Sequence, residues 1–131
     1  MKRESILVIE DDLPLCWLLE KFLGQKYDIT IKNDSVEAMY WLTDGHIPDL
    51  IITDFQMPTL SGTDFLKFLK KSGVFNNIPV VMLSGSANDQ IKQECLAFGL
   101  DHFVEKPFDP EKLETLVRNV LKNRDNYAEI N

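Results

Sequence analysis

The sequence predicts a doubly wound α/β domain built on a parallel sheet. Short runs rich in Val, Ile and Leu alternate with amphipathic segments along the whole chain. These runs lack the alternation of polar and apolar residues that is typical of a strand with one solvent-exposed face. We therefore expect helices to bury the strands on both faces. A length of 131 residues suits one domain with a substantial core.

Five strands and five helices follow from these patterns. The apolar runs predict strands over 5–10, 27–32, 49–54, 79–84 and 102–106. The segments between and after them predict helices over 13–24, 35–44, 62–72, 88–98 and 110–123. The last helix has the clearest pattern, because its apolar residues recur at i, i+3, i+4, i+7 and i+8, namely Leu113, Leu116, Val117, Val120 and Leu121.

Residue types that favour helix ends occur where the pattern requires them. They are Asp12 and Gly24 at the two ends of the first helix, Ser35 at the start of the second, Gly99 at the end of the fourth and Asp109-Pro110 at the start of the fifth. Periodicity is lost near the end of the chain, so we predict a domain over 1–124 and a tail or the start of a linker over 125–131.

Composition excludes several classes of function. There are 21 acidic and 14 basic side chains, a net charge of −7, which argues against nucleic-acid binding by this chain. Two cysteines, Cys16 and Cys95, are too few for a disulfide framework and favour a cytoplasmic location. Neither a secretory signal nor a run of membrane-spanning length is recognisable. The first strand begins near Met1, so we expect the domain at the amino end of its protein.

Reactive side chains lie at the ends of four of the five predicted strands. Glu10 and Asp11 close the apolar run of the first strand, Asp54 ends the third strand, Ser84 ends the fourth and Lys106 ends the fifth. In an open parallel sheet the carboxyl ends of the strands share one edge, where ligands bind. We therefore expect three carboxylates, a hydroxyl and an ammonium in one pocket, a set that suits a divalent cation and a phosphoryl group.

Each residue of this set also has an ordinary structural explanation. Acids often begin helices, and this explanation suffices for the neighbouring Asp12. A lone serine is most often a turn residue, and a lone lysine is most often a solvated surface charge. Glu10 and Asp11 would repel Asp54 unless a cation lay between them, and Mg²⁺ suits such oxygen ligands. Asp54 lies on a loop suited to a nucleophile, and an aspartate can form an acyl phosphate.

Taken together, these motifs resemble the receiver domain of two-component response regulators, of the CheY-like superfamily. The resemblance covers residues 5–123 and rests on four segments: Ile6-Leu7-Val8-Ile9-Glu10-Asp11-Asp12, Asp54-Phe55-Gln56-Met57-Pro58 with Gly62, Val81-Met82-Leu83-Ser84-Gly85, and Phe103-Val104-Glu105-Lys106-Pro107-Phe108. It implies a flavodoxin-like five-stranded parallel sheet in the order 2-1-3-4-5 with five helices.

The resemblance also implies a phosphoryl acceptor and its metal. Asp54 would accept phosphate from a histidine kinase or a histidine phosphotransfer protein. Asp11 and Asp54 would bind Mg²⁺ directly, Glu10 would bind it through water, and Gln56 would bind it through its backbone carbonyl. Such a domain is a signalling switch and not an enzyme, apart from magnesium-dependent self-phosphorylation from phosphodonors and autodephosphorylation.

The family further implies how phosphate is sensed. Ser84 and Lys106 would contact the phosphoryl oxygens, and the rotamer of Phe103 would follow Ser84. The surface over 88–121 would then bind a downstream effector domain or protein. Ser84 replaces the commoner Thr and Phe103 the commoner Tyr, but neither change removes a reacting group, so we expect a functional receiver.

Two other functions fit parts of the sequence. An aspartyl-nucleophile phosphatase of the haloacid-dehalogenase type would carry Asp-x-Asp-x-Thr, but Gln56 and Pro58 occupy the second and third of those places. A binding module that no longer accepts phosphate would not need the complete acid, serine and lysine set.

Two structural predictions accompany the receiver interpretation. The Lys106–Pro107 peptide bond is predicted to be cis, because a buried strand that ends in proline must turn sharply there.

The first helix is apolar nearly all round, through Leu13, Leu15, Cys16, Trp17, Leu18, Leu19, Phe22 and Leu23. A helix needs only one apolar stripe to pack on a sheet, so the surplus is predicted to dock the phosphodonor.

Overall fold

The computed structural model describes residues 3–57, 59–85 and 88–130, with side chains as far as residue 124. Strands and helices alternate throughout, as predicted. The strands are β1 (Ser5–Ile9), β2 (Asp28–Lys32), β3 (Leu50–Asp54), β4 (Val80–Ser84) and β5 (His102–Glu105). The helices are α1 (Leu13–Leu23), α2 (Ser35–Thr43), α3 (Gly62–Lys71), α4 (Asp89–Ala97) and α5 (Pro110–Ile130).

The five strands form one parallel sheet in the order β2-β1-β3-β4-β5, which confirms the predicted topology. Successive strand residues point to opposite faces. In β1, Leu7 and Ile9 pack towards α2, α3 and α4, whereas Ile6 and Val8 pack towards α1 and α5. The sheet therefore separates two hydrophobic cores, as expected for a doubly wound fold.

Burial on both faces holds for the three central strands only. All residues of β3 and β4 are buried, but β2 and β5 are half-buried or exposed. The prediction was wrong for these two strands because they lie at the edges of the sheet, where one side of each strand has no neighbour.

Two predicted helix caps differ in the structure. Asp34, not Ser35, caps α2, because its carboxylate accepts a hydrogen bond from the amide of Glu37 at 2.8 Å. Asp12 occupies the N-cap position of α1, but its side chain makes no capping hydrogen bond. Pro14 lies in the first turn and has no amide hydrogen to donate.

Helix α5 is longer than predicted, since it continues to Ile130 rather than ending at 123. Loss of apolar periodicity does not end the helix, because residues 124–130 contain no Gly or Pro to stop it. A domain boundary at residue 124 therefore stays a prediction.

The Lys106–Pro107 bond is cis, as predicted. Among the described residues, no helix is long and apolar enough to cross a bilayer.

Candidate functional site

The predicted reactive residues meet at the carboxyl edge of the sheet. Glu10 follows β1 directly, and its amide donates to the carbonyl of Lys32 at 3.0 Å. Asp54 and Ser84 are the last residues of the neighbouring strands β3 and β4. Lys106 follows β5, and its amide donates to the carbonyl of Ser84 at 2.8 Å. The strand order thus brings together side chains that lie up to 96 residues apart in sequence.

Three carboxylates form the centre of the site. Ligand oxygens of Glu10, Asp11 and Asp54 all lie within 4.8 Å of one another. The exposed fractions of Glu10 and Asp54 are only 1% and 7%, while Asp11 is exposed, so the cluster opens to solvent on the Asp11 side. Oxygen donors at this spacing fit a hard divalent cation that keeps some of its waters.

Lys106 is the cation of the site. Its Nζ donates a hydrogen bond to Oε1 of Glu10 at 2.9 Å and lies 3.4 Å from Oδ1 of Asp54. Three carboxylates and one ammonium carry a formal charge of −3 + 1 = −2, which one divalent cation would neutralise. The predicted proximity of Lys106 to Asp54 is present, with Glu10 as a further partner.

Burial and charge act against each other on these groups. Burial raises the pKa of Glu10, and the hydrogen bonds from Lys106 and the Asp12 amide only partly offset that increase. Burial alone would lower the pKa of Lys106, but its hydrogen bond to Glu10 and the charges of Glu10 and Asp54 raise it overall. The ammonium is therefore held in its charged form beside the acids.

Glycine allows the loop after β3 to fold back beside Asp54. The amide of Gly62 donates to the carbonyl of Phe55 at 2.8 Å. A Cβ at Gly62 would lie 2.7 Å from the backbone oxygen of Asp54 and 2.9 Å from the Cα of Phe55, both far too close. Gln56 lies on this loop with an exposed side chain. The metal-binding role predicted for its carbonyl stays a prediction.

Ser84 and Phe103 lie on adjacent strands near the acids. Ser84 is 2% exposed, and Phe103 is paired with Met82, two residues before Ser84 in β4. Phe103 is half-buried, and its ring centroid lies 6.4 Å from that of Phe55, the residue after Asp54. Phe103 is thus connected to Asp54 through one aromatic contact.

A lysine that the sequence did not single out lies over Phe103. The Nζ of Lys92, on α4, is 5.9 Å from the centre of the Phe103 ring and forms an ion pair with Glu105. Sequence reasoning missed this contact because α4 and β5 meet only in the folded chain. A lysine inside the first turns of a helix gives no signal by itself.

Two further contacts at Glu10 were also missed. The thiol of Cys16 donates to the main-chain carbonyl of Glu10 at 3.2 Å, and Nδ2 of Asn33 donates to the same oxygen at 3.1 Å. Burial chiefly, with the charge of Glu10 next, raises the pKa of Cys16 to about 11, so the thiol keeps its proton at neutral pH. Asn33 could have been noticed, because it is a polar residue directly after a strand.

Helix α1 has the surplus of apolar surface that the sequence predicts. Leu13 and Trp17 are 68% and 62% exposed. Leu15 and Leu18 form one wall of a groove of about 360 Å³, and Lys106, Pro107 and Phe108 contribute to its lining. The apolar groove therefore adjoins Lys106, the residue whose ammonium lies in the site.

Comparison with known proteins shows the family. The response regulator receiver domain model matches residues 6–118. Response regulator Rre1 of Synechocystis is 35% identical over 89% of this chain and 51% of its own length. Hybrid signal transduction histidine kinase D of Dictyostelium discoideum is 32% identical over 88% of this chain but only 7% of its own length.

A solved structure of similar identity has the same fold. The receiver domain of the Francisella response regulator 1452 is 32% identical and superposes with a TM-score of 0.82, covering 92% of this chain and 98% of that one. The chain spans about half the length, or much less, of the curated relatives it matches. Fold, site and relatives agree: the chain belongs to the receiver domain family of response regulators, the phospho-accepting signalling domains of two-component systems.

Proposed function

We propose that Asp54 is the residue that accepts the phosphoryl group, from a histidine kinase or a histidine phosphotransfer protein. The observation that supports this most directly is the carboxylate cluster of Glu10, Asp11 and Asp54 beside Lys106. Asp54 ends β3, directly before the loop that folds back at Gly62, and its Oδ1 lies 3.4 Å from the ammonium of Lys106.

In the proposed reaction a carboxylate oxygen of Asp54 attacks phosphorus of the donor. A new P–O bond forms, the P–N bond of phosphohistidine breaks, and its electron pair stays on the leaving imidazole. Lys106 would exchange part of its contact with Glu10 for a phosphoryl oxygen, and the Ser84 hydroxyl would donate to another. In autodephosphorylation, water attacks phosphorus, the P–O bond to Asp54 breaks, and inorganic phosphate leaves as the carboxylate is regenerated.

Magnesium fits the site on the chemistry of its donors. We propose Asp11, Asp54 and the backbone carbonyl of Gln56 as direct ligands, with Glu10 bound through water. Bound Mg²⁺ would neutralise charge on the phosphoryl oxygens as the transfer proceeds. Burial of Glu10 and Asp54 at strand ends, with Asp11 facing solvent, supports this placement of the ion.

Intact mass after incubation with acetyl phosphate and Mg²⁺ tests the assignment of Asp54. We expect the wild-type protein to gain one phosphoryl group and the Asp54→Asn variant to gain none. Asp49→Asn is a matched control, because Asp49 lies at the opposite edge of the sheet. Phosphate gained by the Asp54 variant, or full labelling in excess EDTA, would refute the proposal.

The switch is proposed to use Ser84 and Phe103, with the surface over 88–121 as its output. Phosphate would draw the Ser84 hydroxyl inward and leave room for the ring of Phe103 to move further into the core. Phe103 has no hydroxyl to desolvate, so we expect its inward state to be populated before phosphorylation, with a modest rise afterwards. NMR of Phe103 with beryllofluoride tests this, and an unchanged ring environment alongside raised effector affinity would contradict it.

The phosphodonor is proposed to dock on α1 and the adjoining groove. The groove walls Leu15 and Leu18 offer apolar contacts next to Lys106, and the exposed Trp17 adds apolar surface on the same helix. Replacement of Trp17 by Ala should slow transfer from the cognate phosphodonor protein and leave labelling by acetyl phosphate unchanged. Equal loss with both donors would count against docking.

The downstream effector and the compartment are likewise proposals. The relatives named above include a response regulator and a hybrid histidine kinase, so an effector domain or protein and a kinase are the expected partners. Cys16 and Cys95 are unpaired thiols, which supports a reducing, cytoplasmic location. Recovery of the native protein in another cell fraction would contradict it.

A further inference from the structure

We propose that Asn33 and Cys16 are positioning residues for the metal site, because they fix the peptide unit that joins Glu10 to Asp11. The inference rests on the proposed role of Asp11 as a direct magnesium ligand. Asn33 follows β2 and Cys16 lies on α1, so the two residues reach the same carbonyl from different elements.

The carbonyl of Glu10 lies where the sheet stops. The amide of Glu10 still donates to β2, through Lys32, but its carbonyl lies past the last residue of β1. Buried backbone oxygens require donors. Here Cys16 Sγ at 3.2 Å and Asn33 Nδ2 at 3.1 Å supply them, in place of a strand neighbour.

Two donors on one oxygen restrain more than its position. The carbonyl of Glu10 and the amide of Asp11 share one rigid peptide plane, so donors that arrive from two directions also restrain the rotation of that plane. Rotation of the plane would move the Cα of Asp11 and swing its carboxylate. The carboxylate of Glu10 is held separately, by Lys106 at 2.9 Å and the amide of Asp12 at 3.2 Å.

Asp11 is the acid that most needs this restraint. Glu10 and Asp54 are buried and are surrounded by the strand ends, whereas Asp11 is exposed. An exposed side chain on a freely rotating peptide would have to be ordered when the metal binds. Holding the peptide in advance removes part of that entropic cost, which is how residues behind the ligands raise metal affinity.

Magnesium affinity of single variants of the full chain tests the inference. Asn33→Ala is expected to raise the Kd for Mg²⁺ by about ten-fold, which is the usual loss of metal affinity when a residue that hydrogen-bonds behind a metal ligand is removed. Cys16→Ala should weaken it by roughly three-fold, because a thiol is a weak donor, and Cys16→Ser should restore it by supplying a hydroxyl. Mg²⁺ titration followed by the NMR signals of the Asp11 and Asp54 amides gives the Kd.

Cys95→Ala is the matched control. Cys95 is also a buried thiol, but it lies on α4, and its Sγ is 3.6 Å from the hydroxyl of Thr63 on α3. Loss of packing should lower the free energy of unfolding in both Cys→Ala variants. Only Cys16→Ala and Asn33→Ala should change the Mg²⁺ Kd, which separates positioning from general stability.

A measurement without metal distinguishes this inference from the proposed function. In EDTA, the ¹⁵N order parameter of the Asp11 amide should fall in Asn33→Ala and Cys16→Ala and stay unchanged in Cys95→Ala. Unchanged order together with an unchanged Kd would overturn the inference. A wild-type protein that binds no Mg²⁺ would instead overturn the proposed function, while the order parameters in EDTA would still decide whether the two residues hold the peptide.

Discussion

Carboxylates lie both where the parallel strands begin, at the amino edge of the sheet, and where they end, at the carboxyl edge. Their partners differ between these two edges. At the amino edge, Asp49 precedes β3 and accepts a hydrogen bond from the amide of Ser5 at 2.7 Å. Asp101 precedes β5 and accepts one from the amide of Val80 at 2.8 Å. At the carboxyl edge, by contrast, Glu10 and Asp54 lie beside each other and Lys106.

The direction of the strands explains the difference. At the amino edge, the first N–H of β1 and of β4 points sideways to where the neighbouring strand has not yet begun, and the carboxylate directly before that neighbour accepts it. Where the strands end, a carbonyl past the last ladder position needs a donor, and an ionised carboxylate is only an acceptor. Donors such as Asn33 and Cys16 take that role at Glu10. Acids at the carboxyl edge are therefore available for a cation and for chemistry.

The largest effect that tests this comparison concerns the loops. Gly62→Ala should lower the free energy of unfolding by about 3 kcal/mol, because its Cβ would meet the Asp54 backbone oxygen at 2.7 Å. Gly73→Ala, in a loop at the amino edge, has no atom within 4 Å of the added Cβ and should change stability by less than about 1 kcal/mol. Urea denaturation compares the two, and equal losses would show that the close approach at Gly62 relaxes easily.

The acids at the two edges should respond with opposite signs. Asp49→Ala should destabilise the metal-free protein by about 2 kcal/mol, since it removes the acceptor for Ser5 and the partner of Arg124 at 3.2 Å. Asp54→Asn should stabilise it by about 1 kcal/mol, because it removes one of three clustered negative charges. Thermal unfolding in EDTA checks both signs, and a destabilised Asp54→Asn variant would contradict the comparison.

The stabilisation of the protein by added magnesium should depend on the acids of the carboxyl edge and not on those of the amino edge. At ten times its Kd, Mg²⁺ should raise the free energy of unfolding of the wild-type protein by about 1.4 kcal/mol. Asp49→Asn should retain the whole increment, and Asp11→Asn should lose most of it. Calcium-free thermal scans with and without Mg²⁺ give the increments, and an increment retained by Asp11→Asn would place the ion elsewhere.

A smaller effect concerns pH at the amino edge. Burial chiefly, with the charges of Glu4 and Glu114 next, raises the pKa of Tyr27 above its usual value of 10.0. The neutral phenol thus contributes stability that is complete below about pH 10 and is lost as pH rises through the folded pKa. Tyr27→Phe should flatten that decline in stability without changing Mg²⁺ affinity. An identical alkaline decline in the variant would assign the effect to other groups.

Strand ends and their reactive residues could be predicted because both depend on local sequence. A run such as Ser5–Ile9 with two acids directly after it indicates both the end of a strand and the side chains placed there. The edge position of β2 and β5 could not be deduced from these runs, because strand order depends on long-range pairing. The family resemblance gave that order, and the structure confirmed it.

Contacts between distant elements were beyond the reach of sequence patterns. Nothing near Lys106 in the sequence indicates that its ammonium binds Glu10 as well as lying near Asp54. Asn33 and Cys16 meet at one oxygen only because β2 and α1 both pack beside β1. The cap of α2 shows a subtler case, because Asp34 and Ser35 are adjacent candidates and only the backbone conformation decides between them.

The alternating packing of β1 also restricts how this chain can evolve. Leu7 and Ile9 belong to one core, while Ile6 and Val8 belong to the other. Loss of a single residue within β1 would exchange those faces and draw Glu10 back from the strand end. Substitutions in β1 can therefore accumulate, whereas insertions and deletions cannot, because the register that fills both cores is the same register that delivers Glu10 to the acid cluster.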